Sequence, residues 1–312
     1  AVAARMAPLA IAEDTWASIR VPSSMCGLTG LRPTFGRYPG AGIMPITADR
    51  FDQAGPVARS VADLVLFDSV MTGTGAAVAA RPLAGARIGI WPDYFMAGLD
   101  PEVERVTQSA LKRLEAAGAT LVTSDAPPLI KSAIPVVSTI LRYEAASAIT
   151  AYLQAYNTGV TFEQLVDQIS PNVQGVFKAM VLPGAPNRPT REAYEKALKE
   201  RGEVTAAIRD EFDRQRIEAL AFPPILTPAL PLGDNPTVEI GGQKVPLVQV
   251  MGRNAAPGTC AALASLVLPA GMTARGLPVG IEFDAVSGRD RELLALGLSL
   301  EKALGPIPAP RA

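Results

Sequence analysis

The stretch RIGI (residues 87–90), followed by DPEVERVTQSALKRLEAAGATLVT (residues 100–123), decides the fold class. Arg87-Ile88-Gly89-Ile90 reads as a short strand. Asp100 then stands as a helix N-cap, with Pro101 at the first helical position, where a missing N–H costs little. Val103, Val106, Ala110, Leu111, Leu114 and Ala117 recur at helical spacing and line one face. Gly118 supplies a stop, and Ala119 to Thr123 reads as a second strand. Strand, helix and strand in that order predict parallel pairing and an α/β protein.

Working outward, Ala7 to Ala12 reads as a buried strand. Ser60 to Met71 has helical spacing, with Ser60 as N-cap, Asp63 in the first turn and Gly73 as the stop. Downstream, residues 131–170 read as mostly helical. Residues 187–218 hold the densest charge, with acids and bases alternating from Thr190 to Arg216, the pattern of a solvated helix face. Pro223, Pro224, Pro228 and Pro231 punctuate a loop after the apolar run Ala219 to Phe222. Ala261 to Leu268 and Leu277 to Phe283 read as core segments, strand or helix. Arg289 to Ala303 reads as a closing helix. Gly85 and Gly89 lack the spacing of a phosphate-binding glycine loop, and there is no internal repeat.

Composition narrows the function. The 312 residues are 48% hydrophobic and 19% charged, which predicts a large buried core. A net charge of -1 gives no reason to expect nucleic acid or an acidic membrane as a partner. The uncharged run Ala255 to Ala274 is broken by Pro257, Gly258, Pro269 and Gly271, so it reads as core and loop, not as a membrane span. Two distant cysteines, Cys26 and Cys260, argue against a disulfide framework and for a reduced, cytoplasmic setting. Above all there is no histidine. That excludes a Ser-His-Asp or Cys-His site within the chain and any His-containing metal site. No metal or other cofactor is expected.

The segment Glu13-Asp14-Thr15-Trp16-Ala17-Ser18-Ile19-Arg20-Val21-Pro22 holds one serine in a polar turn after an apolar run. Taken alone, it has a plain structural reading: Ser18 caps a helix, and Asp14 and Arg20 form an ion pair. A serine hydroxyl is a poor nucleophile without a positioned base.

Its surroundings change that reading. The chain resembles the amidase signature family, whose hallmark runs Asp-Thr-Gly-Gly-Ser-Ile-Arg-x-Pro. Here it reads Asp14-Thr15-Trp16-Ala17-Ser18-Ile19-Arg20-Val21-Pro22. The ordered blocks continue with Cys26-Gly27, Gly30-Leu31-Arg32-Pro33-Thr34, Gly36-Arg37, Phe51-Asp52-Gln53-Ala54-Gly55-Pro56, Arg59-Ser60 and Val61-Ala62-Asp63. Leu268-Pro269-Ala270-Gly271 and Gly276-Leu277-Pro278-Val279-Gly280 extend the likeness towards the C-terminus.

The resemblance implies a mixed β-sheet core flanked by helices on both faces. It implies one domain over 1–312, with a signature core at 1–73, a more variable helical middle at 86–218 and a return to the core at 219–312. It also implies the chemistry. Ser18 would be the nucleophile of an acyl transfer, and the backbone of Thr15, Trp16, Ala17 and Ser18 would form the oxyanion hole. A second serine, on a cis peptide, would relay the proton to a neutral lysine. Asp14 and Arg20 would brace the turn. Cys26 would be a buried small hydrophobe, Asp52 and Asp63 turn and helix-start residues rather than general acids. Tyr143 and Glu144 would face either the cleft or the packing around it.

Two departures stand out. Trp16-Ala17 replaces the usual Gly-Gly, which reshapes the turn or makes the indole a pocket wall or ordinary packing. The relay serine and lysine match no residue here, since every lysine lies after residue 111 and Ser18 lies too near residue 1. The expectation is a fragment whose first residues, Ala1 to Met6, are the remainder of a helix, and whose uncovered strands invite aggregation.

Gly36-Arg37-Tyr38-Pro39 and Arg253-Asn254 resemble the indoleacetamide and mandelamide hydrolase branch. They imply a small aryl or arylalkyl carboxamide as substrate. A carbamate or ester hydrolase is the alternative within the family. A catalytically silent fragment or an amidotransferase-type subunit is the alternative outside it. A homodimer is compatible with all of these.

Overall fold

The computed structural model describes every residue except 76–77, 234–235 and 311–312. The strands are β1 (Leu9–Asp14), β2 (Thr29–Arg32), β3 (Gln53–Ala58), β4 (Arg87–Ile90), β5 (Thr120–Thr123), β6 (Ala219–Phe222), β7 (Thr237–Ile240), β8 (Gln243–Pro246), β9 (Ala264–Met272) and β10 (Pro278–Ala285). Eight of them form one sheet in the order β1-β3-β2-β9-β10-β6-β4-β5, and β7 and β8 pair separately.

The opening stretch folds as its pattern predicts. Helix Pro101–Ala116 joins β4 to β5, which pair in parallel, Arg87 opposite Thr120 and Ile90 opposite Thr123. Asp100 caps that helix by accepting from the Glu102 N–H at 2.8 Å. β4 and β6 are also parallel, whereas every pairing from β1 through β6 along the other half is antiparallel. The sheet is therefore mixed.

Both faces are covered, and β6 shows how. Ala219 and Ala221 point into one apolar cluster, Leu220 and Phe222 into the other. Numbered in chain order, the helices are α1 (Arg20–Cys26), α2 (Val61–Thr72), α3 (Pro92–Phe95), α4 (Pro101–Ala116), α5 (Ala133–Ala155), α6 (Phe162–Gln168), α7 (Pro171–Met180), α8 (Arg191–Gln215), α9 (Leu247–Gly252), α10 (Ala256–Cys260) and α11 (Asp290–Leu304). Side chains of α2, α4 and α11 fill the first cluster. Side chains of α5, α8 and α10 fill the second. Ser60 caps α2 as expected, accepting from Asp63 N–H, and Gly73 ends it in the left-handed region.

Three local expectations need correction. The strand after Ala7 runs Leu9–Asp14 at the sheet edge, and most of it is not buried; Ile11 is 63% exposed. Ala1 to Met6 is a turn closed by Met6 N–H to Ala1 carbonyl, with Arg5 at φ 62°, not a piece of helix. Cys26, the last residue of the short α1, is exposed, because the buried residues of that helix are Arg20, Val21, Ser23 and Ser24. Cys260 is the buried cysteine, and burial pushes its thiol up to about 12.

Candidate active site

The turn Thr15–Ser18 hangs between β1 and α1, and buried charge fixes both of its ends. Asp14 closes β1 with no solvent exposure. Its carboxylate accepts from Ile19 N–H at 3.1 Å, from Arg20 Nε at 3.1 Å and Nη2 at 3.2 Å, and pairs with Arg32 Nε at 3.3 Å. Burial alone would raise this carboxyl, but the charges of Arg20 and Arg32 hold it below the usual carboxylate range.

Arg20 is the hub. Nη1 donates to Ala255 carbonyl and Glu282 Oε1, both at 3.0 Å. Nη2 donates to Thr259 Oγ1 at 2.6 Å and to the carbonyl of Trp16. Burial opposes its charge, yet Asp14 and Glu282 keep it protonated. A Cβ on Gly258 would lie 2.4 Å from Asp284 Oδ2, so only glycine lets α10 come this close. Glu282 and Asp284 lie side by side on β10, fully buried. Burial pushes both carboxyls above their ordinary values, Glu282 the further.

The indole of Trp16 lies against α9. Its Nε1–H donates to Gly252 carbonyl at 3.0 Å, and a Cβ on Gly252 would sit 3.0 Å from the ring. Thr259 Oγ1 donates to Trp16 carbonyl at 2.7 Å. Trp16 is thus tied to α9 and α10 at both its ring and its backbone. That resolves the departure from Gly-Gly in favour of packing: the indole is an anchor for the turn.

Ser18 itself is exposed, and its hydroxyl has no hydrogen-bond partner among the described residues. The N–H groups of Trp16, Ala17 and Ser18 donate to no backbone carbonyl. A hydroxyl and unengaged amides on one turn are two of the three things that attack on a carbonyl requires, the third being a base to take the hydroxyl proton.

A second layer was less visible in the sequence. Asp52, expected as a turn residue, accepts from Thr15 Oγ1 at 2.9 Å, Ile46 N–H at 2.7 Å, Thr47 N–H at 2.8 Å and the Thr47 hydroxyl. It ties the turn to segment 46–52. Burial, and then the neighbouring Asp52 carboxyl, pushes the Glu13 carboxyl up to about 8. Glu144 receives Ala48 N–H at 2.9 Å, Arg50 Nε at 2.6 Å and Tyr194 Oη at 2.5 Å, fastening the same segment to α5 and α8. Tyr143 stacks on Tyr194 at 4.2 Å. Both residues are therefore engaged in packing.

The remaining motif residues brace loops. Arg37 donates to Asp68 at 2.6 Å and 2.7 Å, and Tyr38 donates to it at 2.8 Å, pinning the loop after β2 to α2. Asn254 donates to Phe95 and Pro223 carbonyls at 3.0 Å and 2.7 Å. Asp63 sits in the first turn of α2, its N–H bonded to Ser60.

Known proteins resemble this chain in sequence and fold. The chain is 36% identical to indoleacetamide hydrolase of Agrobacterium vitis over 97% of its own length and 65% of that protein's. It is 36% identical to mandelamide hydrolase of Pseudomonas putida over 99% of its length and 61% of the relative's. It thus spans less than two thirds of the curated relatives it matches. A crystal structure of an amidase superposes with a TM-score of 0.79 at 26% identity, covering 95% of this chain and 63% of that one. The peptide amidase of Stenotrophomonas maltophilia shares the fold, with a TM-score of 0.76 at 23% identity over 99% and 65% of the two chains. Residues 1–294 match the profile of the Amidase family, and the chain belongs to that family.

Proposed function

We propose that this chain carries the nucleophile and oxyanion hole of an amide hydrolase acting on a small aryl or arylalkyl carboxamide. Ser18 Oγ attacks the carbonyl carbon. The negative charge that develops on the carbonyl oxygen is met by amides of the Thr15–Ser18 turn. Ammonia leaves, water attacks the resulting ester of Ser18, and the carboxylic acid departs. On this reading a second serine and a neutral lysine carry the proton, as the family resemblance implies, and no residue of this chain takes their place. The substrate class rests on the named relatives, an indoleacetamide and a mandelamide hydrolase.

The observation that carries the proposal is the exposed Ser18 on a turn with unengaged amides, held at its two ends by Asp14 and Arg20 and between them by the Trp16 anchor. Charge and packing therefore fix the geometry before substrate arrives, which is what oxyanion stabilisation needs. Among the described residues no helix is long and apolar enough to cross a membrane. A cytoplasmic location and a homodimer belong to the same proposal.

The test is labelling of the intact protein by a serine-directed acylating inhibitor. The proposal expects one adduct at Ser18 and none in Ser18→Ala. Absence of an adduct on a folded protein would favour a silent or partner-dependent subunit instead.

A further inference from the structure

A cavity of about 710 Å³ opens between segment 35–54 and α5. Its size falls in the ordinary range of small-molecule sites. Asp52 and Thr47 line one end, and Asp52 is the residue that holds Thr15 of the nucleophile turn. The cavity therefore abuts the turn through a single carboxylate.

Its walls have a definite chemistry. Ala148, Ala151 and Ala155 line it from one face of α5, so three small side chains leave a shallow slot where larger ones would fill it. Tyr152 and Tyr156 flank that slot with ring centroids 4.6 Å apart. The Tyr152 hydroxyl donates to Gly42 carbonyl at 3.2 Å, which fixes the opposite wall against the helix. Phe35 and Ile43 complete the apolar lining. Aromatic walls around a slot of alanines suit a flat apolar ring.

Charge sharpens the selection. No lysine or arginine lines the cavity, and its only ionisable acids are Asp49 and Asp52. Asp52 is already satisfied by Thr15, Ile46 and Thr47, so it has little capacity to receive a ligand donor. An anionic ligand would meet two carboxylates and no countercharge.

We infer that this cavity holds the aryl group of a neutral aryl amide beside the Ser18 turn and discriminates against the aryl carboxylate. The inference rests on the proposed amidase reading and adds the residues that select the substrate. It also predicts that the product acid is a weak inhibitor. Hydrolysis turns a neutral carboxamide and water into a carboxylate and ammonium, and the acid is disfavoured in the cavity where the amide was welcome.

The experiment measures binding, not turnover, with the Ser18→Ala protein and calorimetric titration of indole-3-acetamide and indole-3-acetate. Ala151 and Tyr156 are exposed, so Ala151→Phe and Tyr156→Ala should leave the fold intact, which a thermal melt checks. The expected result is a Kd for the amide raised roughly tenfold or more by Ala151→Phe, and raised less by Tyr156→Ala. Met272→Ala, in the separate groove beside the C-terminal residues, should leave it unchanged. The acetate should bind roughly tenfold or more weakly than the amide. Equal binding of the amide by the Ala151→Phe protein, equal binding of the acetate, or no binding at all would overturn the inference. The two readings fail separately. Selective binding without any acylation of Ser18 in the unsubstituted protein would leave the cavity and remove the catalysis. Acylation of Ser18 with indifference to Ala151→Phe would do the reverse.

Discussion

At the residue scale, the turn is held by pairs that meet only in the folded chain. Arg20 with Asp14 and Glu282 is a buried charge network. Removing one partner strands the others without solvent, so Arg20→Met should cost about 3–5 kcal/mol in denaturant unfolding. Gly252→Ala should act on activity instead, because the added Cβ would press on the Trp16 indole and displace the turn. Inhibitor acylation at Ser18 should slow roughly tenfold to a hundredfold, with unfolding changed far less. Glu13 gives the pH dependence. Its folded-state pKa of about 8 lies above the ordinary 4.5, so the folded chain holds more protons than the unfolded one between those values. That contribution to stability is complete below pH 4.5 and is lost as pH rises through about 8. Glu13→Gln should match the parent protein in melting temperature below pH 4.5, exceed it progressively above, and keep a constant advantage beyond pH 8.

At the element scale, the legible parts were those with local punctuation. The unit β4–α4–β5 was readable because Asp100, Pro101 and Gly118 mark where its helix starts and stops. Asp100→Ala should cost about 1 kcal/mol, read by chemical denaturation, by removing the cap on Glu102 N–H. α2 was readable for the same reason, since Ser60 caps it through its side chain, whereas α8 was legible from its alternating charges, and its Thr190 cap is a finding of the structure. β1 was legible as a strand but not as an edge, since an apolar run carries no information about which neighbours a strand has. The site divided along the same line. Ser18 and its bracing by Asp14 and Arg20 stand within one short segment and were visible. Arg32, Thr259, Glu282 and Asp284 reach the same cluster from β2, α10 and β10, and nothing in their local sequence announces it. Asp52 looked like a turn residue because its hydrogen bonds to segment 46–47 are local, while its bond to Thr15 is not.

At the scale of the whole molecule, the sheet explains why distant segments build one site. β9 and β10, late in the chain, insert between β2 and β6, so Glu282 and Asp284 lie beneath α1. The edge at β1 has the opposite consequence. Its backbone has one free side and presents Ile11 to solvent, a template for pairing with another chain. Ile11→Lys should therefore lower the apparent size and the aggregation rate measured by light scattering at high protein concentration. An unchanged rate would locate association elsewhere. The central proposal is that Ser18 is the acylated residue. Peptide mapping by mass spectrometry after treatment of the intact protein with a serine-directed acylating inhibitor tests it most directly. The account predicts a single adduct on the peptide containing Ser18 and its loss in Ser18→Ala; an adduct on another serine, or one that survives the substitution, would contradict it.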